Sequence, residues 1–122
     1  MAYDQHLAER ITKQLSSTPH VHQKQMFGGL GFMLHGNMVC GVLGADFIAR
    51  IGAEAYAAAL REPGVRPFDL TGRPMRGWAL VSSRVLDTES QLSRWVERTV
   101  AYARTLPPKS HAARADQPAD QG

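Results

Sequence analysis

Apolar residues recur at helical spacing near both ends of the chain. Within residues 4–17 they fall at every third or fourth position, which is typical of an amphipathic helix, and Asp4 is placed to cap it. A second stripe lies within residues 88–106, where Thr88 and Gln91 have capping-box spacing. The predicted buried residues are Leu7, Ala8, Ile11 and Leu15 in the first helix, and Leu92, Trp95, Val96, Thr99, Val100 and Ala103 in the last.

The segment 21–51 carries short apolar runs separated by glycine instead of a helical stripe. Two-residue loops at Gly36-Asn37 and Gly44-Ala45 divide it into the runs GLGFMLH, MVCGVLG and DFIARIG. Alternation within the runs directs successive side chains to opposite faces of a sheet. The pattern therefore predicts a three-stranded antiparallel meander with one face packed against helices.

Another helix and two more strands are predicted before the last helix. Residues 53–61 are alanine-rich and end at a Glu-Pro-Gly stop. Strands are expected within residues 65–70 and 77–82, on either side of a turn-rich loop at 71–74. The order helix, three strands, helix, two strands, helix predicts an α+β fold of two layers with an antiparallel sheet.

Length and composition fit one intracellular domain. The chain has 122 residues, of which 43% are apolar. We expect a folded domain over residues 1–109 and a disordered tail at 110–122, where no apolar residue is larger than alanine. No apolar run approaches the roughly 20 residues of a membrane-spanning helix. The amino terminus is charged where a secretory signal is apolar, so we expect a cytoplasmic protein without membrane contacts.

Residues with catalytic or ligand-binding chemistry are few. Cys40 is the only cysteine and lies within an apolar run, which favours a buried, unreactive thiol. His20 and His22 share one side of an extended segment, but zinc sites need three or four ligands. The glycines of 28–31 lack the spacing and the strand-to-helix context of a dinucleotide fingerprint. We therefore expect no catalytic residues, no metal and no cofactor.

An arginine-rich loop is the first candidate binding site. The net charge of +3 and the pI near 9.4 are compatible with DNA binding without arguing for it. Arginine and tryptophan are frequent at interfaces, whereas a solvated loop with Arg73 paired to Asp69 is the alternative. Five arginines fall in one stretch: Arg61, Arg66, Arg73, Arg76 and Arg84. The predicted contact residues are Gly72, Arg73, Pro74, Met75, Arg76 and Trp78.

A second candidate site lies on the sheet face that the helices leave open. Strand alternation assigns Met33, His35, Ile48 and Arg50 to that face. Such a face is too apolar to be only solvated, so we expect a second copy of the chain or a ligand to cover it.

Several short strings resemble the TfoX (Sxy) amino-terminal domain family, over about residues 1–109. The opening MAYDQHLAER and the closing RWVERTVAYARTLPPK are also similar to that family. The strings are Met26-Phe27-Gly28-Gly29, Gly36-Asn37-Met38 with Cys40-Gly41-Val42, Arg50-Ile51-Gly52, Phe68-Asp69 with Gly72-Arg73-Pro74-Met75, and Gly77-Trp78.

The resemblance implies a two-layer fold similar to that of secretion-chaperone domains. Members of the family regulate natural competence by helping a cyclic-AMP receptor-type activator switch on DNA-uptake genes, and they are not known as enzymes. The full regulators carry a second, carboxy-terminal domain, for which this chain leaves no room, so we expect a stand-alone domain.

Three functions from different classes remain open on the sequence. The first is a protein-interaction module without enzymatic activity, acting as an accessory regulator on a protein partner such as a transcription activator. The second is direct DNA binding through the arginine-rich loop, which displaced counterions would make strongly salt-dependent. The third is small-molecule binding or an enzymatic role in a pocket near residues 26–29 and Cys40.

Overall fold

The structure, a computed structural model, describes residues 3–26, 28–69 and 72–108. The predicted tail at 110–122 therefore lies outside the described residues. The elements are α1 (Gln5–Gln14), β1 (Val21–Met26), β2 (Gly29–Leu34), β3 (Asn37–Leu43), β4 (Asp46–Arg50), α2 (Ala53–Ala59), β5 (Val65–Pro67), β6 (Trp78–Ser82), a 3-10 helix (Ser83–Val85) and α3 (Glu89–Ala103).

The described strands form one antiparallel sheet in the order β1-β2-β3-β4-β6-β5. The sheet and the three α-helices confirm the predicted α+β class. Five strands were predicted, and the described residues form six. The additional strand, β1, pairs with β2 along its whole length, from Val21 opposite Leu34 to Met26 opposite Gly29.

The first predicted hairpin loop is displaced by one residue. Leu34 is paired with Asn37, so the turn is His35-Gly36 and not Gly36-Asn37. Both turn residues have positive φ, 52° and 82°, as a type I′ turn requires. Asn37 is instead buried, and its amide donates to the carbonyl oxygen of Pro107 at 3.0 Å. The second predicted loop, Gly44-Ala45, is confirmed because Leu43 pairs with Asp46.

The helices pack on one face of the sheet and enclose the main core. Asp4 caps α1 by accepting from the backbone N–H groups of His6 and Leu7, and Thr88 and Gln91 form the capping box of α3. All of the stripe residues predicted for these helices are buried. Phe32, Cys40, Val42, Phe47 and Val81 contribute the sheet side of this core, each with an exposure of 1% or less.

A register shift in the β2–β3 pair changes which face the side chains of β3 occupy. Phe32 pairs with Cys40, but Met33 pairs with Met38, so Val39 is an extra residue. Cys40 and Val39 both belong to the main core, whereas Met38 belongs to a cluster on the opposite face. Simple alternation from Cys40 would place Met38 on the helix-covered face, and the bulge places it on the opposite face instead.

The edges of the sheet differ in length and composition. β5 has only three residues and includes Pro67. β1 has six residues without proline, and its central four residues are exposed. No helix within the described ranges is long and apolar enough to cross a membrane.

Candidate interaction surface on the second face of the sheet

A second apolar cluster lies on the face of the sheet opposite the helices. Three of its members are buried, and the others are partly exposed. We call it the second-face cluster. It consists of Met38, Ile48 and Phe68, with Met26, Met33, Leu43, Trp78 and Leu80 packed against them.

Two glycines form the floor beneath the methionines of this cluster. Gly31 and Gly41 are register partners on β2 and β3. A Cβ built on Gly31 would lie 3.2 Å from the sulfur of Met26, and one on Gly41 would lie 2.9 Å from the methyl carbon of Met38. The two methionine side chains therefore lie directly over bare backbone. We call this pair of glycines the glycine floor.

Arg50 marks one end of the second face. Its guanidinium carbon lies 4.9 Å from the centre of the Trp78 ring and 5.8 Å from that of Tyr102, within the range of cation–π attraction. One of its nitrogens also donates to the carbonyl oxygen of Met38 at 3.4 Å. Arg50 is only partly exposed, so its charge is held against aromatic rings.

The loop that follows β5 is tied to the second-face cluster through its backbone. The N–H of Met75 donates to the carbonyl oxygen of Phe68 at 3.0 Å, and that of Trp78 donates to Met75 at 3.0 Å. Gly77 supports the same loop, since its carbonyl oxygen accepts from Ile51 at 2.9 Å. Met75 itself is 37% exposed, which makes it the exposed large apolar side chain among the described residues.

The predicted contact residues of the loop lie together and face solvent. Gly72, Arg73, Pro74, Met75 and Arg76 are exposed, and Trp78 is partly exposed. Neither Arg73 nor Arg76 makes an ion pair with a residue that the structure describes. The alternative pairing of Arg73 with Asp69 is therefore not found among these residues.

The other three arginines of the predicted stretch add little positive charge to the surface formed by the loop and the second-face cluster. Arg66 is neutralised by an ion pair to Asp46 at 2.6 Å across β6. Arg61 follows the end of α2, and Arg84 lies in the 3-10 helix. Among the arginines, those that place positive charge near the cluster are therefore Arg50, Arg73 and Arg76.

The residues predicted for the open sheet face are only partly brought together. Met33 and Ile48 belong to the second-face cluster, and Arg50 pairs in register with its member Trp78. His35 does not join them, because it occupies the hairpin turn. It is exposed, and its ring lies 5.2 Å from that of His20.

Several cluster residues were not predicted from the sequence. Met26, Leu43 and Leu80 alternate in register with the predicted ones, so strand pairing would have found them. Met38 could not be assigned to this face from alternation, because the extra residue Val39 reverses the face that alternation predicts.

Cys40 offers no reactive group for catalysis. Its side chain is fully buried in the main core, and burial raises the pKa of its thiol to about 12, although a hydrogen bond with Thr99 opposes that shift. The described residues contain no group of three or more histidine, cysteine, aspartate or glutamate side chains able to hold a metal ion. A cavity of about 360 Å³ lies between α1 and the first two strands, away from Cys40.

Comparison with known sequences agrees with this fold. No curated protein sequence matches the chain at a significant level. The family model of the TfoX N-terminal domain, in contrast, matches residues 13–103, which include the last two residues of α1, the whole sheet and all of α3. The chain therefore belongs to the TfoX N-terminal domain family.

Proposed function

We propose that this protein is a protein-interaction module that binds its partner through the second-face cluster and the loop 72–78, without catalysing a reaction. The observation that carries the proposal is an apolar sheet face that no helix of the described chain covers, next to arginines without ion pairs. Apolar patches of this kind mark interaction sites, and arginine and tryptophan often dominate their binding energy.

The proposed role is accessory regulation of transcription in the cytoplasm, with a transcription activator as the partner. Membership of the TfoX N-terminal domain family supports this role. The protonated, buried thiol of Cys40 supports binding over nucleophilic catalysis.

A tagged capture experiment from native lysate of the source cells tests the proposal. The wild-type protein is compared with the double variant Arg73→Ala/Arg76→Ala, in each case with and without nuclease. We expect a protein partner that survives nuclease and is retained at least about 5-fold less by the double variant, since two charge-assisted contacts are lost.

The matched control is Arg84→Ala/Arg94→Ala, which removes the same charge from other exposed positions. Both double variants should keep the free energy of unfolding within about 0.5 kcal/mol, as expected for exposed side chains. Equal capture by the two double variants would contradict the assignment of the loop.

Direct DNA binding is the second candidate, and it is favoured by Arg73 and Arg76, which are exposed and form no ion pair with a described residue. In that case nucleic acid is recovered, and bound proteins disappear after nuclease treatment. The affinity would also fall steeply with salt, because phosphate binding releases counterions.

A further inference from the structure

Within the described residues, helices cover only one face of the sheet. All three helices contribute to the main core, whereas the second-face cluster is formed by strands and by residues beside them. A sheet face with apolar side chains is stable when another element packs on it, and a helix is the element that covers the other face here. A helix bound to the second face would therefore complete a sandwich in which the sheet lies between two helical layers.

The glycine floor gives this face a place for an apolar anchor. Met26 and Met38 lie over Gly31 and Gly41, and flexible methionine side chains repack readily around an incoming group. Displacing them exposes backbone without side chains, which lets a partner approach the sheet closely. Met75, on the neighbouring loop, supplies additional adaptable apolar surface.

The charges around the cluster select the chemistry of the occupant. Lys24 pairs in register with Gly31 and lies on the same face as Met26, at the β1 side. Arg50, Arg73 and Arg76 lie at the opposite side. Asp46 is neutralised by its ion pair, and Asp69 beside Phe68 is an exposed carboxylate, so among the described residues positive charge still predominates at the border of the apolar surface.

This border argues against two other occupants. A second copy docked by a two-fold axis on this face would bring the same positive side chains against each other. Nucleic acid would place its phosphates over the partly exposed methionine, leucine and tryptophan side chains of the cluster, which are poor partners for phosphate.

We infer that the second face binds an amphipathic helix whose apolar stripe is flanked by acidic residues, with an apolar anchor seated over the glycine floor. The inference rests on the proposed function, since it names the partner class of the same surface. A helix of this kind presents anchors at positions i, i+3, i+4 and i+7, and acidic flanks complement the arginines.

Three synthetic peptides of about 18 residues test the inference, a length that can form a helix. The first has a leucine stripe with glutamate on both flanks, the second has the same stripe with lysine, and the third has glutamate with scrambled leucines. Binding is followed by NMR of the full chain labelled at methionine methyl groups, with assignments from single Met→Leu variants.

We expect the first peptide to shift the methyl resonances of Met26, Met38 and Met75. The lysine-flanked and scrambled peptides should bind at least about 10-fold more weakly, and Arg73→Ala/Arg76→Ala should weaken the first peptide about 5-fold. The control Arg84→Ala/Arg94→Ala should leave its affinity unchanged.

The inference is overturned if the acidic peptide shifts none of these methyl groups, or if the lysine-flanked peptide binds equally well. If lysate capture still depends on Arg73 and Arg76 in that case, the proposed function stands and only the helical, acidic partner is wrong. If capture also does not depend on Arg73 and Arg76, both the inference and the proposed function are wrong.

Discussion

The guanidinium carbon of Arg50 lies 4.9 Å from the centre of the Trp78 ring, and the two residues face each other in register on β4 and β6. Tyr102 of α3 approaches the same guanidinium at 5.8 Å. Arg50 therefore contacts both the second face of the sheet and the carboxy-terminal end of the last helix. It fixes the end of the proposed binding surface to the helical layer.

Replacing Arg50 by methionine should lower the free energy of unfolding by about 1–2 kcal/mol, because cation–π contacts and a hydrogen bond are lost together. Urea denaturation measures this change. Arg84→Met is the control at an exposed position and should change it by less than about 0.5 kcal/mol. Equal effects of the two substitutions would show that Arg50 is only a solvated charge.

Gly52→Ala should be more damaging than Gly72→Ala, although both glycines have φ near +90°. A Cβ on Gly52 would overlap a ring carbon of Tyr102, whereas one on Gly72 would have no atom of the described residues within 4 Å. The backbone penalty of about 1–2 kcal/mol is common to both, and the overlap adds about 1–3 kcal/mol at Gly52 alone. Thermal unfolding of the two variants separates these effects, and similar melting temperatures would exclude the overlap.

The ion pair between α1 and α3 should make stability depend on pH in the acid range. The Arg10 guanidinium donates to the Glu89 carboxylate at 2.9 Å and, together with Gln14, holds the pKa of Glu89 below its usual 4.5. The stabilisation is therefore complete above about pH 4.5 and is lost as the pH falls through the lowered value in the folded protein.

Glu89→Gln tests this dependence by urea denaturation across that range. The wild-type protein should be more stable than the variant at neutral pH, and the difference should shrink as the pH falls below 4.5. Glu9→Gln is the control, because Glu9 is exposed and forms no ion pair with the described residues. A difference that does not change with pH would rule out the carboxylate as its source.

Cys40 should react with thiol reagents only when the protein unfolds. Its side chain is fully buried and its pKa is raised to about 12, so thiolate is scarce and inaccessible at pH 8. The reaction with Ellman's reagent should be slow in buffer and fast in denaturing urea. Ser17→Cys adds an exposed thiol that should react at once, and equally rapid reaction of Cys40 would disprove its burial.

Local signals were sufficient for the helices and for most of the sheet. The stripe of α3 and the capping pair Thr88 and Gln91 depend on residues close in sequence, so spacing alone predicts them. β1 was missed as a strand because its sequence, VHQKQM, has no apolar alternation and only its pairing with β2 makes it a strand.

The candidate site was harder to predict because it depends on contacts between distant segments. The loop residues Arg73 and Arg76 were found from composition, and their exposure follows from the loop itself. The methionine cluster required strand register, and the extra residue Val39 shifts Met38 to the second face. His35 was placed on that face because the turn was assigned one residue too late.

The unequal edges of the sheet have a consequence for the handling of the purified protein. Pro67 and the short length of β5 leave little for an incoming strand to pair with on that side. β1 has six residues, the backbone groups on its outer side pair with no strand of the described residues, and Lys24 is the one fully charged side chain along it. Aggregation in concentrated solution should therefore begin at β1 and proceed from that side, and a second lysine at Gln23 or Gln25 should be enough to delay it.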